Sequence, residues 1–135
     1  FLASKLDPDH KNRYRPYSFL SQEMGLAYSL ADIVVARAGA NSPGELAHWS
    51  KPAIVIPLPT AANDEQNKNA KHLARAGAVR LLAEKDLTGM RLLNELDKLI
   101  DNPSDMRYLA QSIHKFNKPD AAKEVAEVIL KAKAA

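Results

Sequence analysis

Apolar residues along the chain fall into two alternating patterns: short unbroken β-branched runs and stripes with helical spacing. Asp32-Ile-Val-Val-Ala36 and Ala53-Ile-Val-Ile-Pro57 are runs of the kind that form strands buried on both faces, and Val79-Arg-Leu-Leu82 predicts another strand. The spacing between them predicts a helix from Ser42 to about Ser50 and a helix from Asp64 to Ala76. Gly77 closes the latter, because glycine readily takes the left-handed conformation that ends helices. Upstream, an extended stretch near Arg13 to Pro16 precedes an amphipathic helix with Leu20, Met24, Ala27 and Ala31 on one face, and residues 1–12 show no period. Downstream come helices from Thr88 to Ile100, from Asn102-Pro103 with the stripe Met106, Leu109, Ala110, Ile113, and from Pro119. Proline suits a first helical turn, where its missing N–H costs nothing.

Strands alternating with helices over short links predict an α/β fold: a Rossmann-like parallel sheet with helices on both faces and right-handed crossovers, in a single domain over residues 1–135. Composition narrows the function classes. A chain of 135 residues with 46% apolar side chains buries enough surface to need neither metal nor disulfide for its core. It has no cysteine, so thiol catalysis and cysteine-ligated zinc are excluded, which fits a reducing compartment. No apolar stretch is long enough for a membrane-spanning helix or a signal peptide. The net charge of +3 arises beyond residue 50, where fourteen basic residues face eleven acidic ones. They are interspersed rather than clustered with aromatics, so no nucleic-acid partner is expected, while a weak attraction to anionic lipid headgroups is compatible.

In an open parallel sheet, ligands bind beyond the carboxyl ends of the strands, which directs attention to the segments after Ala36 and Pro57. The first, Arg37-Ala-Gly-Ala-Asn-Ser-Pro-Gly-Glu45, is a loop of small residues entering a helix. Gly39 and its small neighbours let a ligand approach the backbone, and the free N–H groups and dipole at the helix start favour an anion such as phosphate. The segment is neither GxGxxG nor a P-loop. Ser42-Pro-Gly-Glu45 also fits a capping box with Ser42 as N-cap and Pro43 at the first helical position. The carboxylate of Glu45 can close that cap or accept hydrogen bonds from a ligand's diol, and Arg37 can contact phosphate or form a structural ion pair. The second segment is rich in amides. Gln66, Asn69 and Leu73 share a stripe whose first turn is polar, as suits sugar hydroxyls; the alternative is a solvated turn capped by Asp64. Asp7-Pro-Asp9 follows no strand and reads as a proline turn, and His10, His48, His72 and His114 lack metal-binding spacing, so no metal site is expected.

Taken in order, Ala31-Asp-Ile-Val-Val-Ala-Arg-Ala-Gly-Ala40, Glu45-Leu-Ala47, Lys51-Pro-Ala-Ile-Val-Ile-Pro-Leu-Pro59, Gln66-x-x-Asn69-Ala70, Ala76-Gly-Ala78 and Lys118-Pro-Asp-Ala-Ala122 resemble the C-terminal half of the MurG family. Those are inverting transferases that add N-acetylglucosamine from UDP-N-acetylglucosamine to lipid I to make lipid II in peptidoglycan synthesis. The resemblance covers roughly residues 13 to 130.

It implies a GT-B glycosyltransferase of family 28, of which this chain is most of the nucleotide-sugar (donor) domain. By the resemblance, Glu45 binds the ribose, Ala40, Asn41 and Ser42 contact nucleotide and diphosphate, Gln66 reads the sugar, and Leu20 packs by the uracil. Arg37, Gly39 and Asn69 complete the set of expected substrate-binding residues. Glu65 stands where many members carry His or Gln. The family's glycine-rich loop would lie before Phe1, and its acceptor domain, with the candidate catalytic base, is absent. The chain by itself is therefore expected not to catalyse. The resemblance further implies no cofactor, a lipid-linked acceptor reached through the missing domain, and a peripheral position on the cytoplasmic face of the bacterial cell membrane. Two alternatives share these motifs: a stand-alone UDP-sugar-binding module working with a separate membrane subunit, and a related glycolipid glycosyltransferase.

Overall fold

The β-branched runs pair side by side, all parallel, in the order β1-β2-β3, with β1 at Val34–Ala36, β2 at Ala53–Val55 and β3 at Arg80–Leu81. Val34, Val35 and Ala36 face Ala53, Ile54 and Val55, and Ile54 and Val55 face Arg80 and Leu81. This is a computed structural model, and it describes residues 7–133. In chain order the helices are α1 (Pro8–Lys11), α2 (Met24–Leu30), α3 (Ser42–Trp49), α4 (Glu65–Arg75), α5 (Gly89–Ile100), α6 (Pro103–His114) and α7 (Ala121–Lys133), with 3-10 turns at Ala62–Asp64 and Glu84–Asp86. The chain divides after Leu30 into two compact units.

The central strand is buried throughout, as its composition predicts. Its pleat turns Ile54 to one face, where Ile56 also lies, together with Leu82, Leu99 of α5 and Leu109 of α6 in one buried cluster. Ile33, Leu87, Leu92, Leu96 and Met106 pack on its margin. Ala53 and Val55 point the other way and are equally buried, as are Leu46 and Ala47 of α3 and Ala70 and Leu73 of α4. Two ties fasten α6: Arg80 Nη2 donates to Asp105 Oδ2 at 2.5 Å, and Ser50 Oγ lies 2.8 Å from His114 Nδ1 at the end of α3.

The helix boundaries show their causes. Thr88 caps α5 by accepting from the Arg91 N–H at 3.0 Å, and Asn102 Oδ1 sits 3.4 Å from the Asp105 N–H at the start of α6. Gly77, at φ +65°, ends α4 as predicted. Its N–H donates to the Ala74 carbonyl at 3.0 Å and that of Ala78 to the Leu73 carbonyl at 2.9 Å, the Schellman pattern, with Ala78 and Leu73 both buried.

Several expectations are corrected. β1 is shorter than Asp32–Ala36 and is not buried on both faces: it is an outer strand among the described residues, and Val35 is 43% exposed. The helix expected to carry Leu20 and Ala31 runs only from Met24 to Leu30, so neither lies in it. Residues 1–12 are not wholly irregular, because Pro8–Lys11 forms a short helix capped by Asp7, whose Oδ1 accepts from the His10 N–H at 3.0 Å. That bond, then the His10 ring 2.6 Å from Oδ2, holds the Asp7 carboxyl below its ordinary value. The same cap explains Asp7-Pro-Asp9 without a metal. The last helix starts at Ala121 rather than at Pro119, which lies in the preceding turn. In α7 the stripe Val125, Val128, Ile129 and Leu130 remains between 59% and 67% exposed.

Candidate functional site

The carboxyl ends of the strands gather most of the residues singled out in the sequence. β1 delivers Arg37 and then a loop in which Ala38 is buried, Gly39 half-buried, and Ala40 and Asn41 exposed. A Cβ added at Gly39 or at Gly44 would meet no protein atom within 4 Å, so both lie beside open space. The chain then enters α3, with the Glu45 N–H returning to the Asn41 carbonyl at 3.0 Å.

The expected cap is corrected by one residue. Asn41, with α-helical φ and ψ of −86° and −34°, holds the N-cap position and makes no side-chain capping bond, while Ser42 already lies inside the helix. The backbone turns helical earlier than a Ser42 cap allows, because an N-cap residue normally keeps extended dihedrals. The first amides of α3 are thus not covered by the side chain at their own N-cap.

Four hydrogen bonds brace this region. Arg37 Nη1 donates to the Ile56 carbonyl at 3.2 Å and also pairs with Glu84 Oε2, so one side chain reaches from the end of β1 past β2 to the turn after β3. Asn69 Nδ2 donates to the Ala38 carbonyl at 3.2 Å. The Leu58 N–H donates to Gln66 Oε1 at 2.9 Å, fixing the loop after β2 against the first turn of α4. Two of the amides expected to face a sugar therefore also hold protein backbone. The amide NH2 of Gln66 makes no part of its bond to Leu58, because that bond uses the oxygen.

Asp64 stands at the N-cap of α4 as expected but does not cap the backbone. It sits in the left-handed region, at φ 57°, and its Oδ1 accepts from Asn67 Nδ2 at 2.6 Å. Beside α3 opens a cavity of about 220 Å3 lined by Ala40, Pro43, Gly44, Asn69, His72, Leu73 and Phe116. His72 and Phe116 meet edge to face, their rings 5.5 Å apart. Glu45 is half-buried in the first turn of α3. Leu20, also half-buried, belongs to the N-terminal unit, and the other expected site residues to the second. Among the described residues no three histidine or carboxylate side chains gather as a metal site would require.

Sequence reasoning missed Glu84, Phe116 and His72 as parts of this region. The rule that directed attention past β1 and β2 applies equally past β3, where Glu84 opens a 3-10 turn. Nothing local marks Phe116, which reaches the cavity from the end of α6.

A parallel α/β sheet with an open, small-residue entry to a helix at the carboxyl end of a strand is the arrangement of nucleotide-binding folds. Comparison with known proteins makes this specific. Residues 3–125 match the glycosyltransferase family 28 C-terminal domain, and the chain belongs to that family. It is 41% identical over 108 residues to a UDP-N-acetylglucosamine–N-acetylmuramyl-(pentapeptide) pyrophosphoryl-undecaprenol N-acetylglucosamine transferase of Anaeromyxobacter sp. (strain K), covering 80% of this chain and 28% of that protein. The like-named protein of Pseudomonas aeruginosa (strain LESB58) is 37% identical over 108 residues, covering 80% and 30% respectively. The crystal structure of MurG from Acinetobacter baumannii superposes with a TM-score of 0.73 at 33% identity over 83% of this chain and 32% of that one. The chain thus spans about 30% of the length of these relatives and carries part of the C-terminal domain of a GT-B glycosyltransferase.

Proposed function

We propose that this chain is the donor-binding part of an inverting transferase that moves N-acetylglucosamine from UDP-N-acetylglucosamine to lipid I, forming lipid II. The observation that carries the reading is the start of α3: its N-cap side chain makes no capping bond, and Gly39 and Gly44 beside it face open space. Backbone amides at such a point favour an anion, and a diphosphate is the anion a nucleotide sugar brings. Ala40, Asn41 and Ser42 would touch it, and Glu45, in the first turn of the helix, would accept from the ribose diol. Gln66 would offer its NH2 to the sugar while its oxygen holds Leu58. Arg37 and Asn69 would shape the seat through Ile56 and Ala38.

The reaction is one displacement. The acceptor hydroxyl forms a bond to the anomeric carbon as the bond from that carbon to the UDP oxygen breaks, and the hydroxyl proton passes to a base outside the residues assigned here. Charge builds on the departing diphosphate, where the amides of α3 are pre-aimed, an effect that strengthens as the site loses water. A lipid-linked acceptor places the work peripherally at the cytoplasmic face of the cell membrane, and no helix among the described residues is long and apolar enough to cross it.

Calorimetry with UDP-N-acetylglucosamine tests the reading, with UDP-glucose and a GDP-sugar as controls. Glu45→Ala should weaken binding by roughly 1.5 to 3 kcal/mol, the value of a hydrogen bond to a charged group. A folded Glu45→Ala chain with unchanged affinity would remove the ribose contact from the proposal.

A further inference from the structure

Arg37 and Glu84 approach each other from the first and third strands, and a carbonyl just past the second, that of Ile56, takes a bond from the same guanidinium nitrogen. The loop that follows Arg37 has few means of holding itself. Ala38, Gly39 and Ala40 carry almost no side chain, and no protein atom lies within 4 Å of where a Gly39 Cβ would be. Its shape is therefore set at its ends, by Asn69 on the Ala38 carbonyl, by α3, and by whatever fixes Arg37. An arginine side chain that is 45% exposed loses that role unless something holds its far end, and Glu84 is that anchor.

We infer that Glu84 is a positioning residue of the donor site: by pinning Arg37 across the end of β2 it fixes the loop from which α3 presents its amides to the diphosphate. This rests on the reading of α3 as the diphosphate seat, and Glu84 need not touch the ligand. The sign of the effect separates it from simple electrostatics. A carboxylate near an anion site repels the anion, so charge alone predicts that removing Glu84 tightens binding. Positioning predicts the opposite.

The experiment is titration of UDP-N-acetylglucosamine into the full chain and its variants, with thermal melting beside each. Glu84→Ala should weaken binding about tenfold, and Glu84→Gln, which still accepts from Arg37, less than about threefold. Arg37→Ala should cost about as much as Glu84→Ala, and the double variant no more than either, because both break one brace. Tighter or unchanged binding by Glu84→Ala, or fully additive losses in the double variant, overturns the inference. Should Glu84→Ala fail to fold, Arg37→Lys decides: it keeps the charge but loses the planar fork, so about fivefold weaker binding supports positioning and unchanged binding overturns it. A wild-type chain that binds no UDP-sugar overturns the reading of the seat itself and this inference with it. Wild-type binding that ignores Glu84 overturns this inference alone.

Discussion

Asn69, on the helix after β2, donates its side-chain amide to the main-chain carbonyl of Ala38, 3.2 Å away in the loop after β1. The bond joins two crossovers that sequence places 31 residues apart. Asn69→Asp replaces the donor with a carboxylate facing that carbonyl, and the expected cost is about 1 to 3 kcal/mol. Urea unfolding measures it, and an unchanged midpoint with an unchanged slope would show that the bond does not stabilise the fold.

Gly77 tests the end of α4. A Cβ there would lie 2.9 Å from Tyr108 Oη on a backbone at φ +65°. Gly77→Ala should destabilise by about 1 to 2 kcal/mol from the backbone alone. In a Tyr108→Ser background the steric part disappears while the backbone part remains. If that background abolishes the whole loss in a thermal-melt series, the left-handed conformation is not the cause.

The core should answer to truncation according to burial. Leu99→Ala, at a site only 1% exposed in the cluster under Ile54, should cost about 2 to 5 kcal/mol. Leu93→Ala, on the same helix but 49% exposed, should cost less than about 0.5 kcal/mol. Equal losses would contradict the assignment of the inner face of α5.

Asp7 supplies a pH test. Its folded carboxyl is held below the ordinary 3.8, so its contribution to α1 is complete above that value and is lost as pH falls through the lowered one. The His10 amide shift, followed by NMR, should titrate with a midpoint under 3.8. A midpoint at or above that value would show that the cap is not formed.

Hydrogen exchange should separate α7 from the rest. Its apolar stripe is largely exposed, and a helix of 13 residues without tertiary burial is marginal in water. Its amides should exchange orders of magnitude faster than those of β2. Comparable protection would mean that α7 is buried against something.

Much of this was legible along the chain because local chemistry and tertiary packing agree there. The run Ala53-Ile-Val-Ile is buried on both sides and reads as nothing but an inner strand. Gly77 and the caps at Thr88 and Asn102 mark their helix ends through side-chain or backbone features that do not depend on neighbours far away. β1 misled because β-branched composition reports a preference for extended backbone but not how far the covering layer reaches, and Val35, in register with the buried Ile54, is left 43% exposed on the outer strand. Ser42 misled because serine followed by proline suits a cap, yet Asn41 had already turned helical. At the site, the spacing of Gln66 and Asn69 disclosed a shared face of α4 but not that each would also grip backbone, at Leu58 and Ala38. The pairing of Arg37 with Glu84 spans 47 positions, and no local pattern encodes a partner at that distance.

The outer position of β1 bears on how the chain behaves in a tube. Among the described residues no strand pairs with its far side, and Val35 offers a bare valine next to that margin. Such a border is a template on which a neighbouring molecule can crystallise its own backbone, whether or not the interior is sound. Concentrated stocks would then cloud well below the melting point, and replacing Val35 by lysine should raise recoverable yield while leaving the denaturation midpoint where it was.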